Sequence, residues 1–285
     1  MQPNFTGPSR PSIPNGAPCH DPTRLQLHTR HGARTCHPST RGHGARPRHG
    51  RTHDARGRLL PDTDWYMEKL YAPAADMGIG VMRASYSRYV IDLNRGPDDS
   101  TLYPGRPKTG LVPELTFDGT PIYQPGQMPD EAEIGEHLIR YWQPYHDAVA
   151  EELARLKARW GWAILWDGHS IKTEIPRLFE GPLPDLNFGT NQGASCAPDL
   201  INGVVNIAGH DRDYSHVVNG RFKGGYTTRH YGQPEQGIHA IQLEKAQKIY
   251  LAHEDEPWPI DTARTHKISI LIGKMLQQAI SWRPE

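Results

Sequence analysis

The chain has 285 residues, 32 basic and 32 acidic side chains and three cysteines. That length can bury one large α/β core, no run of about 18 apolar residues offers a membrane span, and an odd set of Cys19, Cys36 and Cys196 fits neither a disulfide framework nor a zinc knuckle. Charge balances only in the sum: residues 1–58 hold ten Arg and no Lys against Asp21 and Asp54, a net +8, so the remainder carries −8 and, being mildly acidic, argues against a nucleic-acid partner.

Residues 1–58 also hold seven His, eight Pro and seven Gly with one aromatic, Phe5, and show no hydrophobic period. Such a segment cannot offset its ordering entropy by burial, and disorder is expected over it. It reads as a basic nucleic-acid arm, as a His-rich metal tract, or as a GC-rich gene translated out of frame. The last reading is preferred: composition becomes ordinary abruptly at Leu59, and His53-Asp-Ala-Arg-Gly57 can be encoded so that a one-base shift gives Met-Thr-Pro-Ala. The N-terminus lacks the apolar core of a secretory signal, so a cytoplasmic protein is expected. The division is therefore 1–58, then a single domain over 59–285.

Asp62-Thr-Asp-Trp65 opens a short amphipathic helix ending near Pro73, with acids in its first turn as the helix dipole prefers. Asp64 and Glu68 are each either caps or metal ligands. Gly78–Met82 and Tyr89–Leu93 read as strands, with Arg88 and the set Asp92-Leu-Asn-Arg95 around the second; arginine forks suit carboxylates. Residues 96–129 are rich in Pro and Gly, as a lid or binding loop would be. Asp130 then opens the longest helix, with Ile134, Leu138, Trp142, Tyr145, Val149, Leu153 and Leu156 spaced for one buried face, and with His137 and His146 read as structural.

Trp162-Ala-Ile-Leu-Trp-Asp-Gly-His-Ser170 is an apolar run that stops at polar residues, the pattern of a buried parallel strand with function at its mouth. Residues 171–190 are too rich in Pro for a helix and are expected to loop across the strand mouths. A weaker helix follows near Asp199–Asn206. Asn219–Gly232 gathers Arg221, Lys223 and Arg229 among glycines, a loop able to approach an anion. His239–Glu244 reads as a strand ending in an acid beside His169, and a final helix starts near Asp261.

Taken together, Asp-Thr-Asp-Trp, Ser-Arg-Tyr-Val-Ile-Asp-Leu-Asn-Arg, Leu-Tyr-Pro-Gly, Thr-Phe-Asp-Gly, Tyr-Trp-Gln-Pro-Tyr-His, Trp-Asp-Gly-His-Ser, Pro-Arg-Leu-Phe-Glu-Gly-Pro-Leu-Pro-Asp-Leu-Asn, Asn-Gly-Arg-Phe-Lys-Gly-Gly-Tyr and Gln-Leu-Glu resemble, in that order over residues 59–280, the N-formylglutamate amidohydrolase family. The resemblance implies a zinc-carboxypeptidase-like (phosphorylase/hydrolase-like) α/β fold, a mixed central sheet flanked by helices, and metal-dependent hydrolysis of N-formyl-L-glutamate to formate and L-glutamate, closing one branch of histidine degradation. It implies a divalent metal, expected to be Zn2+, on His169 with Asp64 or, in reserve, Glu68. Asp167 would orient a ligand, Glu244 would be the general base, Asn94 and Arg95 would grip a carboxylate, and Arg88 would be a second clamp. Two substrate carboxylates require cations on both sides, which Arg221, Lys223 or Arg229 can complete. Zinc-bound water ionises near pH 7, the activation that formamide hydrolysis needs.

The family carries Pro-His-x-Gly on its first strand, whose His resembles a metal ligand; set against Ser12-Ile-Pro-Asn-Gly16 this chain has Asn15 there. A catalytic zinc takes three protein ligands, so weak metal binding and a catalytically impaired polypeptide are expected. The alternatives are a deacylase acting on another N-acyl amino acid, and a degenerate domain with a basic binding arm.

Overall fold

In the structure, a computed structural model, residues 53–102, 105 and 107–284 are described together with the backbone of residues 25–30. The strands are β1 (Leu25–Arg30), β2 (Gly80–Ala84), β3 (Ala163–Ile171), β4 (Leu186–Gly189), β5 (His216–Val218) and β6 (Ile238–Ala246). They form one six-stranded sheet in the order β2-β1-β3-β6-β4-β5. β2, β1, β3 and β6 are mutually parallel, β4 runs antiparallel to β6, and β5 is parallel to β4. The expected mixed sheet is present.

Helices cover both faces. The main helices are α1 (Ala55–Leu59), α2 (Met67–Leu70), α3 (Pro73–Asp76), α4 (Glu131–His137), α5 (Gln143–Trp160), α6 (Pro198–His210), α7 (Tyr226–Tyr231) and α8 (Thr262–Ser281), with a π-helical turn over Leu138–Trp142 joining α4 to α5. On one face Trp166 and Ile164 of β3 pack with Met67, Leu70, Val204, Ile272 and Met275. On the other, Val149, Leu153 and Leu156 of α5 meet Ala163, Leu165 and Ala240. Each such aliphatic side chain taken from water contributes about 1.5–3 kcal/mol. No helix among the described residues is long and apolar enough to cross a membrane.

Helix ends follow their chemistry. Asp130 Oδ1 accepts from Glu133 N at 2.9 Å and Asp261 Oδ1 from Arg264 N at 3.0 Å, each satisfying an amide that has no partner inside the helix.

Five expectations change. Tyr89–Leu93 is no strand but a series of turns. The polar tail Asp167–Ser170 stays within β3, whose nine residues are all buried between β1 and β6. The loop after it ends in β4, because Leu186 and Phe188 are drawn into the core on one side of the pleat while Asn187 faces the other. The glycine-rich stretch closes with α7. Within residues 1–58, read as disordered, β1 pairs with both β2 and β3; the remaining structure of residues 1–24 and 31–52, with Asn15, Cys19 and Cys36, lies outside the described residues.

Candidate active site

The site gathers where β3 and β6 end. Their register sets His169 opposite Glu244, and period-two alternation carries Asp167, His169, Gln242 and Glu244 onto one face. On the opposite face, Tyr71 Oη lies 2.6 Å from where a Cβ on Gly168 would stand, so only glycine lets Tyr71 cross the strand. Tyr71 Oη accepts from Trp166 Nε1 at 3.1 Å and from the buried Lys245 Nζ at 3.0 Å, pinning the sheet beneath the site.

His169 is 3% exposed and stands between two buried acids. Nε2 lies 2.8 Å from Asp167 Oδ1, and Nδ1 lies 3.5 Å from Asp64 Oδ2. Burial opposes its protonation, but Asp167 and Asp64 prevail and raise its pKa to about 9. Asp64 is held by Ser170 N at 2.7 Å and neighbours Arg88 Nη2 at 3.7 Å. Glu244 is 8% exposed, and its buried Oε1 has no hydrogen-bond partner among the described residues. Burial pushes its pKa upward, against the pull of His169.

Beside this pair the chain opens a cavity of about 90 Å³, lined by Arg88, Asn94, Arg95, Lys108, Arg221 and Gln242 as well as by His169 and Glu244. That is room for several waters or a small polar ligand. Its cations are built in. Arg88 lies over Phe117 at 4.6 Å and near Asp92 at 3.9 Å. Arg95 donates through Nε to Thr109 O at 2.8 Å, through Nη2 to Thr109 Oγ1 and through Nη1 to Asn94 O at 2.8 Å. Arg221 donates from Nε to Leu178 O at 3.1 Å and packs over Phe222 at 5.2 Å.

Asn94 faces inward. Its Oδ1 accepts from Thr227 N at 2.8 Å, and its Nδ2 lies 3.2 Å from His169 Nε2 and 3.5 Å from Gln242 Oε1. A Cβ on Gly225 would come within 2.3–2.4 Å of the Asn94 carboxamide, and Gly225 N itself donates to Gln242 Oε1 at 2.8 Å. Glycine at 225 is thus a condition for the placement of Asn94.

Most of the residues picked from sequence therefore converge: Asp64, Arg88, Asn94, Arg95, Asp167, His169, Arg221 and Glu244. Three do not. Glu68 is exposed on α2, Lys223 reaches Gln192 Oε1 at 3.4 Å, and Arg229 turns back to Gly224 O at 2.9 Å; none of them lines the cavity. Lys108 and Gln242 were missed. For Gln242 the signal was present, since it lies two residues before Glu244 on a strand and so shares its face. Lys108 sits in the irregular loop, where spacing carries no such information.

For a metal, the donor chemistry is one imidazole flanked by carboxylates. Among the described residues no three His, Cys, Asp or Glu side chains form a group that could hold an ion. His169 and Asp64 supply two points where a catalytic zinc takes three, so these residues alone do not make a metal centre.

Fold and site together define a mixed α/β protein with a charged small-molecule cavity at the ends of parallel strands. The profile of the family described as N-formylglutamate amidohydrolase matches residues 25–251. A protein of Pseudomonas aeruginosa named N-formylglutamate deformylase is 48% identical over 228 residues, which is 80% of this chain and 85% of that one. One of the same name from Pseudomonas putida is 46% identical, with the same coverage of both. Among solved structures, the N-formylglutamate amidohydrolase of Ralstonia eutropha superposes with a TM-score of 0.72 at 22% identity, covering 94% of this chain and 96% of that one. A protein of Agrobacterium tumefaciens does so with a TM-score of 0.61 at 16% identity, covering 91% of each. The chain belongs to the N-formylglutamate amidohydrolase family. The match begins at residue 25, so the reading of all of residues 1–58 as foreign to the family is corrected, and Asn15 falls outside the matched span.

Proposed function

We propose that this chain hydrolyses the amide of N-formyl-L-glutamate, releasing formate and L-glutamate, as the names of its relatives suggest. The observation that carries the reading is Glu244: a buried carboxylate with an oxygen that has no partner among the described residues, opposite His169, in a cavity walled by guanidinium groups. Water adds to the formyl carbon as Glu244 takes its proton; the carboxyl then hands a proton to the amide nitrogen, and the C–N bond breaks. Arg88, Arg95 and Arg221 offset the two substrate carboxylates, Arg88 also neutralising Asp64 and Asp92. Asn94 and Gln242 fix the polar floor beside His169.

A divalent metal, expected to be Zn2+, belongs to the proposal through His169 and Asp64, and so does kinship with the zinc carboxypeptidases. His169 and Asp64 would hold two of its positions, and metal content of the purified chain tests it. A cytoplasmic location and a place at the end of a histidine degradation branch belong to the proposal as well. A deacylase for another N-acyl amino acid would use the same cations, because they report carboxylates and not acyl size. Formate release from the N-formyl substrate, compared with acetate release from N-acetyl-L-glutamate, separates them: the proposal expects formate to dominate, and equal or greater acetate release rejects it.

A further inference from the structure

The stretch Tyr89–Arg95, whose first five residues read as a strand, has no sheet partner among the described residues, yet it carries Asn94 and Arg95 of the cavity. Its carbonyl groups are taken up largely by side chains. Val90 O accepts from His137 Nδ1 at 2.9 Å, Leu93 O from His146 Nε2 at 3.0 Å and Arg95 O from Trp142 Nε1 at 3.0 Å. All three donors come from the one long helical element, α4 through α5.

Their spacing explains the π-helical turn. On an uninterrupted α-helix, five residues turn through about 500°, which would leave Trp142 about 140° away from His137. A π-helical turn, closed between residues five apart, restores the two to one side, and His146 follows four residues later on the same side. The rings then brace one another: Trp142 and His146 lie 4.0 Å apart between centroids, and Tyr226, whose amide donates to Asn94 O at 3.3 Å, stands 5.5 Å from Trp142. The turn carries the apolar Ile139 outward at 74% exposure.

We infer that the π-helical turn is a registering device: it aligns His137, Trp142 and His146 as a rack of N–H donors that sets the backbone of residues 90–95 and thereby the positions of Asn94 and Arg95 at the substrate cavity. His137, Trp142 and His146 are positioning residues, acting through the carbonyl groups they hold. A carbonyl oxygen only accepts, so His137 carries its proton on Nδ1 and His146 on Nε2. Asn reproduces the first donor position and Gln the second.

The consequence for turnover rests on the function proposed above; the consequence for the backbone does not. The test is Trp142→Phe, which keeps an aromatic side chain and deletes the donor, followed by His146→Gln against His146→Leu and by deletion of Ile139, each read by amide hydrogen exchange of the peptide spanning residues 89–95 and by steady-state kinetics on N-formyl-L-glutamate. Trp142→Phe is expected to raise exchange and KM roughly three- to tenfold, the scale of one net hydrogen bond, with kcat within twofold. His146→Gln should restore most of what His146→Leu loses, and deletion of Ile139 should release the Val90 end of the segment. Exchange unchanged in Trp142→Phe, or a lowered melting temperature with exchange and KM unmoved, overturns the rack. Raised exchange in a protein whose wild type does not hydrolyse the substrate supports the rack and rejects the function.

Discussion

The two halves of the cavity are built by opposite means. His169 and Glu244 stand on neighbouring parallel strands, where the backbone ladder fixes register and the pleat fixes direction. Asn94 and Arg95 stand on irregular chain whose carbonyl groups are held by His146, Trp142 and the Tyr226 amide. The first arrangement is rigid because its hydrogen bonds are local and repeated; the second is only as rigid as a few long-range side chains make it. In the proposed function, chemistry falls to the sheet and recognition to the loop.

The largest expected effect is on the sheet side. His169→Ala leaves Asp64 and Asp167 buried without the imidazole between them, a change expected to cost about 3–5 kcal/mol of stability and to abolish turnover. Thermal unfolding followed in parallel with an activity assay checks both. A melting temperature within a degree of wild type would show that the imidazole is no counter-charge.

Next comes the junction of the halves. Gly225→Ala drives a methyl group into the Asn94 carboxamide; overpacking of this kind costs about 1–3 kcal/mol of stability, and with Asn94 displaced from the cavity kcat/KM should fall as well. On the recognition side, Arg221→Ala is expected to raise KM about tenfold by removing a charge-assisted contact, with kcat changed less. Lys is not expected to replace it, because it lacks the planar fork that could hold Leu178 O and a substrate carboxylate together. A competition series with glutarate monitors the same loss in binding alone.

Acidity gives a smaller and graded effect. Burial raises the Glu244 pKa, and a general base works ionised, so kcat/KM should fall on the acid side with a midpoint above the ordinary value of about 4.3 for Glu. For His169 the folded pKa of about 9 exceeds its ordinary 6.5, so its contribution to stability is complete below 6.5 and is lost as pH rises through about 9. In chelator-treated protein, the gap in melting temperature between wild type and His169→Ala should narrow over that window. The smallest effect belongs to Lys223→Ala and Arg229→Ala, whose side chains lie outside the cavity lining: KM should stay within about twofold, in keeping with changes of about 0.5 kcal/mol at such positions.

What could be read in advance follows the same divide. β3 and β6 were legible because an apolar run ending in polar residues has one natural place in a parallel sheet, and His169 and Glu244 came with them. α8 was legible from its stripe and from Asp261. The segment at Tyr89 was misread because Tyr, Val and Ile favour strands, whereas here His137, His146 and Trp142 supply the hydrogen bonds that a sheet would have given. Lys108 was invisible for a related reason: its position depends on a loop tied by Arg95 to Thr109, a long-range match with no local period. Glu68 was a candidate as an acid near a helix start, yet α2 turns it outward because Met67 and Leu70 take the core. β1 was lost in the arginine-rich composition around it.

The buried carboxylate at the end of β6 is the group proposed to do the chemistry. Its most direct test is Glu244→Gln, with N-formyl-L-glutamate binding measured by calorimetry and formate release measured on the same preparation. Substrate binding within a few-fold of wild type with formate release lowered roughly 10²- to 10⁴-fold, the usual contribution of a general base, is the predicted result. Formate release at the wild-type rate would contradict it.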